Sequence, residues 1–324
     1  AALGANVLWL SPITAAAEDD FGYAVTDHFA LRNRFGTAEE FRRLVRSAHE
    51  RGMRVIVDFV PNHLSDQHAY HLDAAAHEQR SPYFDWFDRN DEGEITQYFD
   101  WSHLKNLDYD NREVQSYMIE AFSRFVREFG VDGFRVDASW AVAARAPEFW
   151  PRLRAELKRI DPDIFLLAEA SARDPYPVEN GFDAAYDWTA QLGQWAWHDV
   201  FEEGNANLER LRAALTNEGR GYPPDTLTLR FLNNNDTGER FAARHGEDTA
   251  RVAATLLFTL PCVPLVYNGD EMAAHFEPYD EGPPLDWDDD HSLVEHYRKL
   301  AQIRKQTDAL RSRDMELLAT NRDA

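Results

Sequence analysis

Lysine is nearly missing from this 324-residue chain: only Lys105, Lys158, Lys299 and Lys305 occur, and arginine supplies the rest of the 34 basic side chains. Against 57 acidic residues this leaves a formal charge of −23. Such a surface repels phosphate backbones and anionic headgroups, so nucleic acid and membrane are excluded as partners and a neutral or cationic one is expected. Cysteine is as scarce. The lone Cys262 rules out an intrachain disulfide, and its place in the apolar run from Thr255 to Tyr267 reads as a buried, inert thiol. No uncharged apolar stretch reaches the roughly 18 residues of a bilayer span, so the chain reads as soluble, with compartment and oligomeric state open. An initiating Met is absent too. Ala1-Ala-Leu-Gly runs directly into strand-like residues, so an upstream segment is expected.

What is present, 44% hydrophobic residues over 324 positions, suffices for one large core. Short β-branched runs alternate with amphipathic stretches, the pattern of βα units around a parallel sheet. Thr37 and Glu40 form a capping-box start, Phe41, Leu44, Val45 and Ala48 share a helical face, Gly52 ends the helix, and a strand follows over 54–60. The device recurs. Val114, Tyr117, Met118, Ala121, Phe122 and Phe125 make a stripe that Gly130 stops before a strand over 133–137. Phe149, Leu153, Leu157 and Ile160 make another, broken by Asp161-Pro162 before a strand over 164–170. Val7 to Ser11, Phe182 to Trp188, Thr228 to Asp236 and Pro264 to Glu271 complete seven strands. That is one short of an eight-stranded β/α barrel, with the deficit at the N-terminus.

The predicted organisation is barrel over 1–61, an insertion over 62–110, the rest of the barrel over 111–309 and the start of a C-terminal β-domain over 310–324. The insertion is rich in His, Asp and aromatics and reads as too irregular for a helix. Its Tyr83, Phe84, Trp86 and Phe87 are expected to form a small core, and His68, His71 and His77 to be solvated loop histidines and not a zinc site.

The chemistry is concentrated at strand ends. Asp58 with Asn62 and His63, Arg135 with Asp137, Glu169, and Asn234 with Asp236 each follow an apolar run. In a β/α barrel these ends converge on one pocket. Arg135 shares a strand face with Asp137 by the period of two and is expected to hold it ionised, as a nucleophile needs. Glu169 ends the run Phe165-Leu-Leu-Ala168, where desolvation suits a proton donor. Two carboxylates in these roles are the machinery of glycoside cleavage, and Asp236 would be a third acid for sugar hydroxyls. Tyr23, Trp86, Tyr98, Trp101, Trp188, Trp195 and Trp197 are candidate stacking faces.

In order and spacing, Asp58-Phe-Val-Pro-Asn-His63, Gly133-Phe-Arg-Val-Asp-Ala138, Leu167-Ala-Glu169 and Phe231-Leu-Asn-Asn-Asn-Asp236 resemble the four sequence regions of the alpha-amylase family of glycoside hydrolases. Phe21-Gly-Tyr23, Asn106-Leu-Asp108 and Tyr267-Asn-Gly-Asp-Glu271 add to the likeness. The resemblance implies a (β/α)8 TIM barrel lacking its first strand as given, with a small domain B inserted after the third. It implies Asp137 as nucleophile, Glu169 as acid/base and Asp236 as transition-state stabiliser. Arg135 would support the nucleophile, Tyr23 stack on the sugar, His63 bind its primary hydroxyl and Asp58 structure the pocket.

Three departures stand out. Asn235 replaces the family's usual histidine and can donate a hydrogen bond but carry no charge. Trp140-Ala141 replaces a Lys-His pair, which weakens the family's calcium site; Asn62 alone does not make one, and no cofactor is expected to be required. The third departure is the missing first strand and C-terminal domain. The implied activity is retaining hydrolysis of α-glucosidic bonds in malto-oligosaccharides or α-glucans. Transglycosylation at the same site and a non-catalytic barrel relative are the alternatives. Ala138 after the nucleophile resembles enzymes favouring α-1,4 linkages.

Overall fold

The computed structural model describes residues 1–18, 20–188, 198–201, 208–279, 285, 287, 291–312, 315 and 316. Trp195, Trp197 and most of the expected C-terminal β-domain start, residues 313, 314 and 317–324, lie outside the described residues, and Asp308–Arg311 forms a 3-10 turn. The chain divides into two compact units. The first is Ala1, Asn6–Ala170 and Asp174–Ala185; the second is Ala2–Ala5, Ser171–Arg173 and Tyr186–Ala324.

In the first unit, β1 (Val7–Leu10), β2 (Arg54–Phe59), β3 (Gly133–Val136) and β4 (Phe165–Ser171) lie side by side in that order. Each pair is parallel, with Leu10 opposite Val57, Asp58 opposite Arg135 and Arg135 opposite Leu167. The crossovers carry helices: α1 (Ala38–His49) before β2, α2 (Arg112–Arg124) before β3, and α3 (Ser139–Arg145) with α4 (Phe149–Ile160) before β4. Strands added in chain order through helical crossovers wind in the sense of a barrel, not of a doubly wound sheet. Ala184–Tyr186 (β5) follows β4 in the order.

Local signals explain these elements. Thr37 accepts from the Glu40 amide while the Glu40 carboxylate accepts from Thr37, so the expected capping box forms. Phe41, Val45 and Ala48 are buried, but Leu44, at the margin of that stripe, stays exposed, and α1 already ends at His49, with Gly52 at φ 69° in the turn beyond. Helix α2 runs on through a π-turn over Phe125–Phe129, which Gly130 closes in the left-handed region at φ 68°. Beneath it Phe59 packs on Phe122 and Phe134, with ring centroids 4.1 and 5.7 Å away. Gly133 is required where β3 meets β4, because a Cβ there would lie 2.3 Å from the Phe165 carbonyl oxygen.

Two features depart from the sequence reading. A hairpin, Thr14–Ala16 with Val25–Leu31, precedes α1. The insertion after β2 is more regular than expected, with a helix over Ala69–His77 and a three-stranded antiparallel sheet of His63–Ser65, Trp101–Asn106 and Gln97–Tyr98. Its helix escapes pattern reading because its cap is a histidine, His68, whose Nδ1 accepts from the Tyr70 amide. His68 is therefore buried and not solvated, and exclusion of water lowers it to about 3. His71 Nδ1 donates to the Asp66 carbonyl at 2.8 Å. Trp86 and Phe87 are buried and Tyr70 stacks on Tyr83 at 3.9 Å, forming the small core expected there.

In the second unit β6 (Leu227–Phe231) pairs in parallel with β7 (Val263–Leu265), and α5 (Glu247–Thr259) joins them; α6 (Ser292–Gln306) follows. Both strands are shorter than the sequence suggested. Asp270 and Glu271 fall in a 3-10 turn, where Asp270 accepts from Asn233 at 2.6 Å and pairs with Arg240 at 3.3 Å, a structural role. Cys262 is half-buried; its thiol donates to the Leu257 carbonyl at 3.3 Å and is pushed up to about 11 by shielding from water. Among the described residues no helix is long and apolar enough to cross a membrane.

Candidate active site

The C-terminal ends of β2, β3 and β4 bring Asp58, Arg135, Asp137 and Glu169 together. Arg135 has no exposed side-chain surface. Its Nη1 donates to Asp58 Oδ1 at 2.9 Å and to Asp137 Oδ1 at 2.7 Å, and its Nη2 lies 2.8 Å from Glu169 Oε1. The period of two that places Arg135 beside Asp137 also lets it span neighbouring strands, since Asp58 is its register partner on β2. Beyond β3 the backbone turns sharply: Ala138 adopts φ 45°, and its amide donates to Glu169 Oε2. Ser139 Oγ donates to the Glu169 carbonyl at 3.1 Å. Glu169 is thus held by a peptide amide as well as by a guanidinium.

One guanidinium cannot balance three buried carboxylates. Burial pushes Asp58 up to about 7, with Arg135 opposing and Asp137 reinforcing the shift. Burial raises Asp137 as well, against the pull of Arg135. Arg135 thus favours the ionised form of Asp137, and desolvation opposes it.

Tyr23 is half-buried, and its hydroxyl donates to Asp58 Oδ2 at 3.1 Å. His63 is buried, its Nε2 donating to the Tyr23 carbonyl at 3.1 Å while Nδ1 faces Asn62 Nδ2 at 3.1 Å. Exclusion of water lowers His63 to about 4, so it is neutral at ordinary pH. Its ring stacks on Tyr98, with centroids 5.1 Å apart. Tyr98 opens an aromatic wall with Phe99, Trp101 and Trp140, in which Phe99 and Trp101 are about half exposed at 51% and 52%. Tyr98, Phe99 and Trp140, with Asn62, Gln97 and Asn106, line a cavity of about 210 Å³. Phe99 holds φ 51°, an uncommon backbone for an aromatic residue. Of the other stacking candidates, Trp86 and Trp188 are buried, Trp188 under Tyr186 at 4.8 Å.

Asn235 and Asp236 belong to the second unit, beyond β6. Asp236 is exposed. Asn235 Nδ2 donates to Asp236 Oδ1 at 3.0 Å and to the Tyr279 hydroxyl at 2.8 Å, and that hydroxyl donates to Asp236 Oδ1 at 3.4 Å. The Asp236 amide donates to Asn234 Oδ1 at 2.9 Å. Asn235 thus acts as the donor its amide allows. Sequence reasoning missed Tyr279, which is 44 residues from Asn235 and has no motif around it, and it missed Phe99, whose half-exposed ring and positive φ appear only in three dimensions.

The catalytic-domain model of alpha amylase matches residues 1–278. Among curated relatives, alpha-amylase MalA of Haloarcula japonica is 31% identical over 98% of this chain and 45% of its own length. Neopullulanase 2 of Thermoactinomyces vulgaris is 30% identical over 93% and 53%. The chain spans about half the length of such relatives. Among solved structures, a cyclomaltodextrinase superposes with TM-score 0.84 at 25% identity, covering 96% of this chain and 55% of that one. The type III pullulan hydrolase of Thermococcus kodakarensis gives 0.82 at 28%, covering 97% and 58%. Family model, sequence likeness and backbone agree with the strand-end carboxylates, and the chain belongs to the alpha-amylase family of glycoside hydrolases, with that family's β/α-barrel catalytic fold and a small insertion after β2.

Proposed function

We propose that this chain is the catalytic part of a retaining glycosidase that hydrolyses α-glucosidic bonds in malto-oligosaccharides or α-glucans. The observation that carries the reading is the contact of Arg135 with both Asp137 and Glu169, which sets two carboxylates of different surroundings at the ends of adjacent strands. Asp137 attacks the anomeric carbon while Glu169 protonates the departing oxygen; Glu169 then takes a proton from water, which displaces the sugar from Asp137. Arg135, 2.7 Å from Asp137 Oδ1, opposes the burial that raises Asp137 and so favours the anionic form that attack requires. Asp236 takes the stabilising role toward sugar hydroxyls, with Asn235 orienting it. Tyr23 and His63 hold the ring being cleaved.

The test is release of reducing sugar from maltotriose, starch and isomaltose by the full chain, with Asp137→Asn as control. Proton NMR of the first product is expected to show the α-anomer; the β-anomer would sink the double displacement. A second reading, transfer to a sugar acceptor, is favoured by the Tyr98, Phe99 and Trp140 cavity, whose aromatic faces and amides suit a second sugar. Longer products at high maltose would distinguish it from hydrolysis.

A further inference from the structure

A calcium ion at Asn62 does not fit the residues present. Asn62 Oδ1 already accepts from Arg145 Nη2, and among the described residues no group of three or more His, Cys, Asp or Glu side chains is disposed to hold a metal. Arg145 itself gathers oxygens as an ion would. Nη1 donates to the Leu107 carbonyl at 2.8 Å and Nε to the Ala141 carbonyl at 3.2 Å. Its guanidinium carbon sits 6.0 Å from the centre of the Tyr109 ring, and among the described residues no carboxylate pairs with it. These partners come from three places: the start of the insertion, its end and the first helix after the nucleophile. The Leu107 amide also donates to the Asn62 carbonyl at 3.1 Å, so Arg145 stands where the insertion leaves the barrel and rejoins it.

The consequence reaches the sugar-facing wall. With Oδ1 committed to a guanidinium, which can only donate, the Asn62 amide has one orientation, and its Nδ2 must supply hydrogens. One goes to His63 Nδ1 at 3.1 Å and the other to Asn106 Oδ1 at 3.2 Å. An imidazole that accepts at Nδ1 carries its proton on Nε2, and Nε2 donates to the Tyr23 carbonyl. Asn106 continues the chain to Thr96 Oγ1 at 3.0 Å and thence to Asp88 at 2.5 Å.

We infer that Arg145 is a positioning residue: its guanidinium takes the place of a metal ion at the root of the insertion and holds the Asn62 amide in the orientation that donates to His63 Nδ1, matching the tautomer that the Tyr23 carbonyl sets from the other side. Its tie to sugar binding rests on the function proposed above; the metal and histidine arms of the test do not. Wild-type protein melted in millimolar EDTA and in millimolar calcium is expected to give the same midpoint. A rise with calcium that EDTA reverses overturns the inference, because a metal would then stand where the guanidinium does. In protein labelled with 15N-histidine, the His63 signals, assigned by their loss in His63→Gln, are expected to show Nε2 protonated and Nδ1 bare. In Arg145→Met the freed amide can turn over, and the Nδ1 signal should shift as it loses the amide donor, with Nε2 still protonated against the Tyr23 carbonyl. Unchanged signals in a folded Arg145→Met protein overturn the inference. If that variant does not fold, Arg145→Lys carries the same comparison, since an ammonium cannot fork to Asn62 and Leu107 as a guanidinium does. KM for maltotriose should rise about tenfold in Arg145→Met with kcat little changed, the pattern of lost binding and not of lost chemistry. Absence of turnover in wild type would sink the glycosidase reading alone and leave the other two arms standing.

Discussion

Arg135 and Glu169 meet across two strands, Nη2 to Oε1 at 2.8 Å, although the guanidinium is already bonded to Asp58 and Asp137. A single buried cation therefore ties together every carboxylate of the first unit's site, and its loss leaves three acids in a desolvated pocket. Arg135→Met is expected to lower stability by about 3–5 kcal/mol, the cost of breaking a buried pair from one side. Urea unfolding at pH 7 measures it. A midpoint unchanged from wild type would show that the acids rearrange freely. Arg135→Lys should recover only part, because an ammonium cannot reach three partners in one plane.

Asp137→Asn and Glu169→Gln should separate by leaving group. Asp137→Asn is expected to lose about 10⁴-fold or more in kcat/KM on every substrate, since no covalent intermediate can form. Glu169→Gln should lose about 10²–10⁴-fold on maltotriose, the usual worth of general acid catalysis. On α-glucosyl fluoride, which departs without a proton, it should lose far less. Equal losses on both substrates would remove Glu169 from the acid role.

Asp270 makes stability depend on pH in a direction opposite to an ordinary ion pair. Burial pushes it up to about 7, with Arg240 and Asn233 opposing and Glu271 reinforcing the shift. Between its ordinary value of 3.8 and about 7 the folded protein binds more protons at this site than the unfolded chain. The stabilisation is complete below that window and is lost as pH rises through it. Asp270→Asn should flatten this part of the curve, so its melting temperature gains on wild type from pH 5 to pH 8. A parallel shift at both pH values would show that Asp270 does not titrate there.

Gly133→Ala is expected to destabilise by about 1–3 kcal/mol, the range for forcing atoms into a close-packed site. Its Cβ would meet the Phe165 carbonyl oxygen at 2.3 Å, and backbone cannot swing aside as a side chain can. Because β3 carries Arg135 toward β4, kcat/KM should fall with stability. Wild-type values of both would mean that the two strands part readily at this point.

What could be read from the sequence follows from how local each cause is. The capping box at Thr37, the left-handed stop at Gly130 and the Arg135 to Asp137 spacing all lie within a few residues, and all three were legible. The upward push that burial gives Asp137 was not, because it depends on how much water the assembled strands exclude. The helix over Ala69–His77 was hidden by its alanines, which give no apolar stripe, and by its histidine cap. Arg145 and Asn62 are 83 residues apart, and no periodicity links them. Leu44 shows the limit of periodicity itself: it has the right residue type near the right face, but lies at its margin and remains exposed.

The left-handed turn at Ala138 makes a peptide group, not a rotamer, the gauge between the two acids. Its amide, one residue beyond Asp137, holds the Glu169 carboxylate, so the main chain that carries one acid also anchors the other. A β-branched residue at 138 resists that backbone and would swing the amide off Glu169. Variation there would change the clearance between attacking and protonating groups while the identity of every catalytic residue was kept.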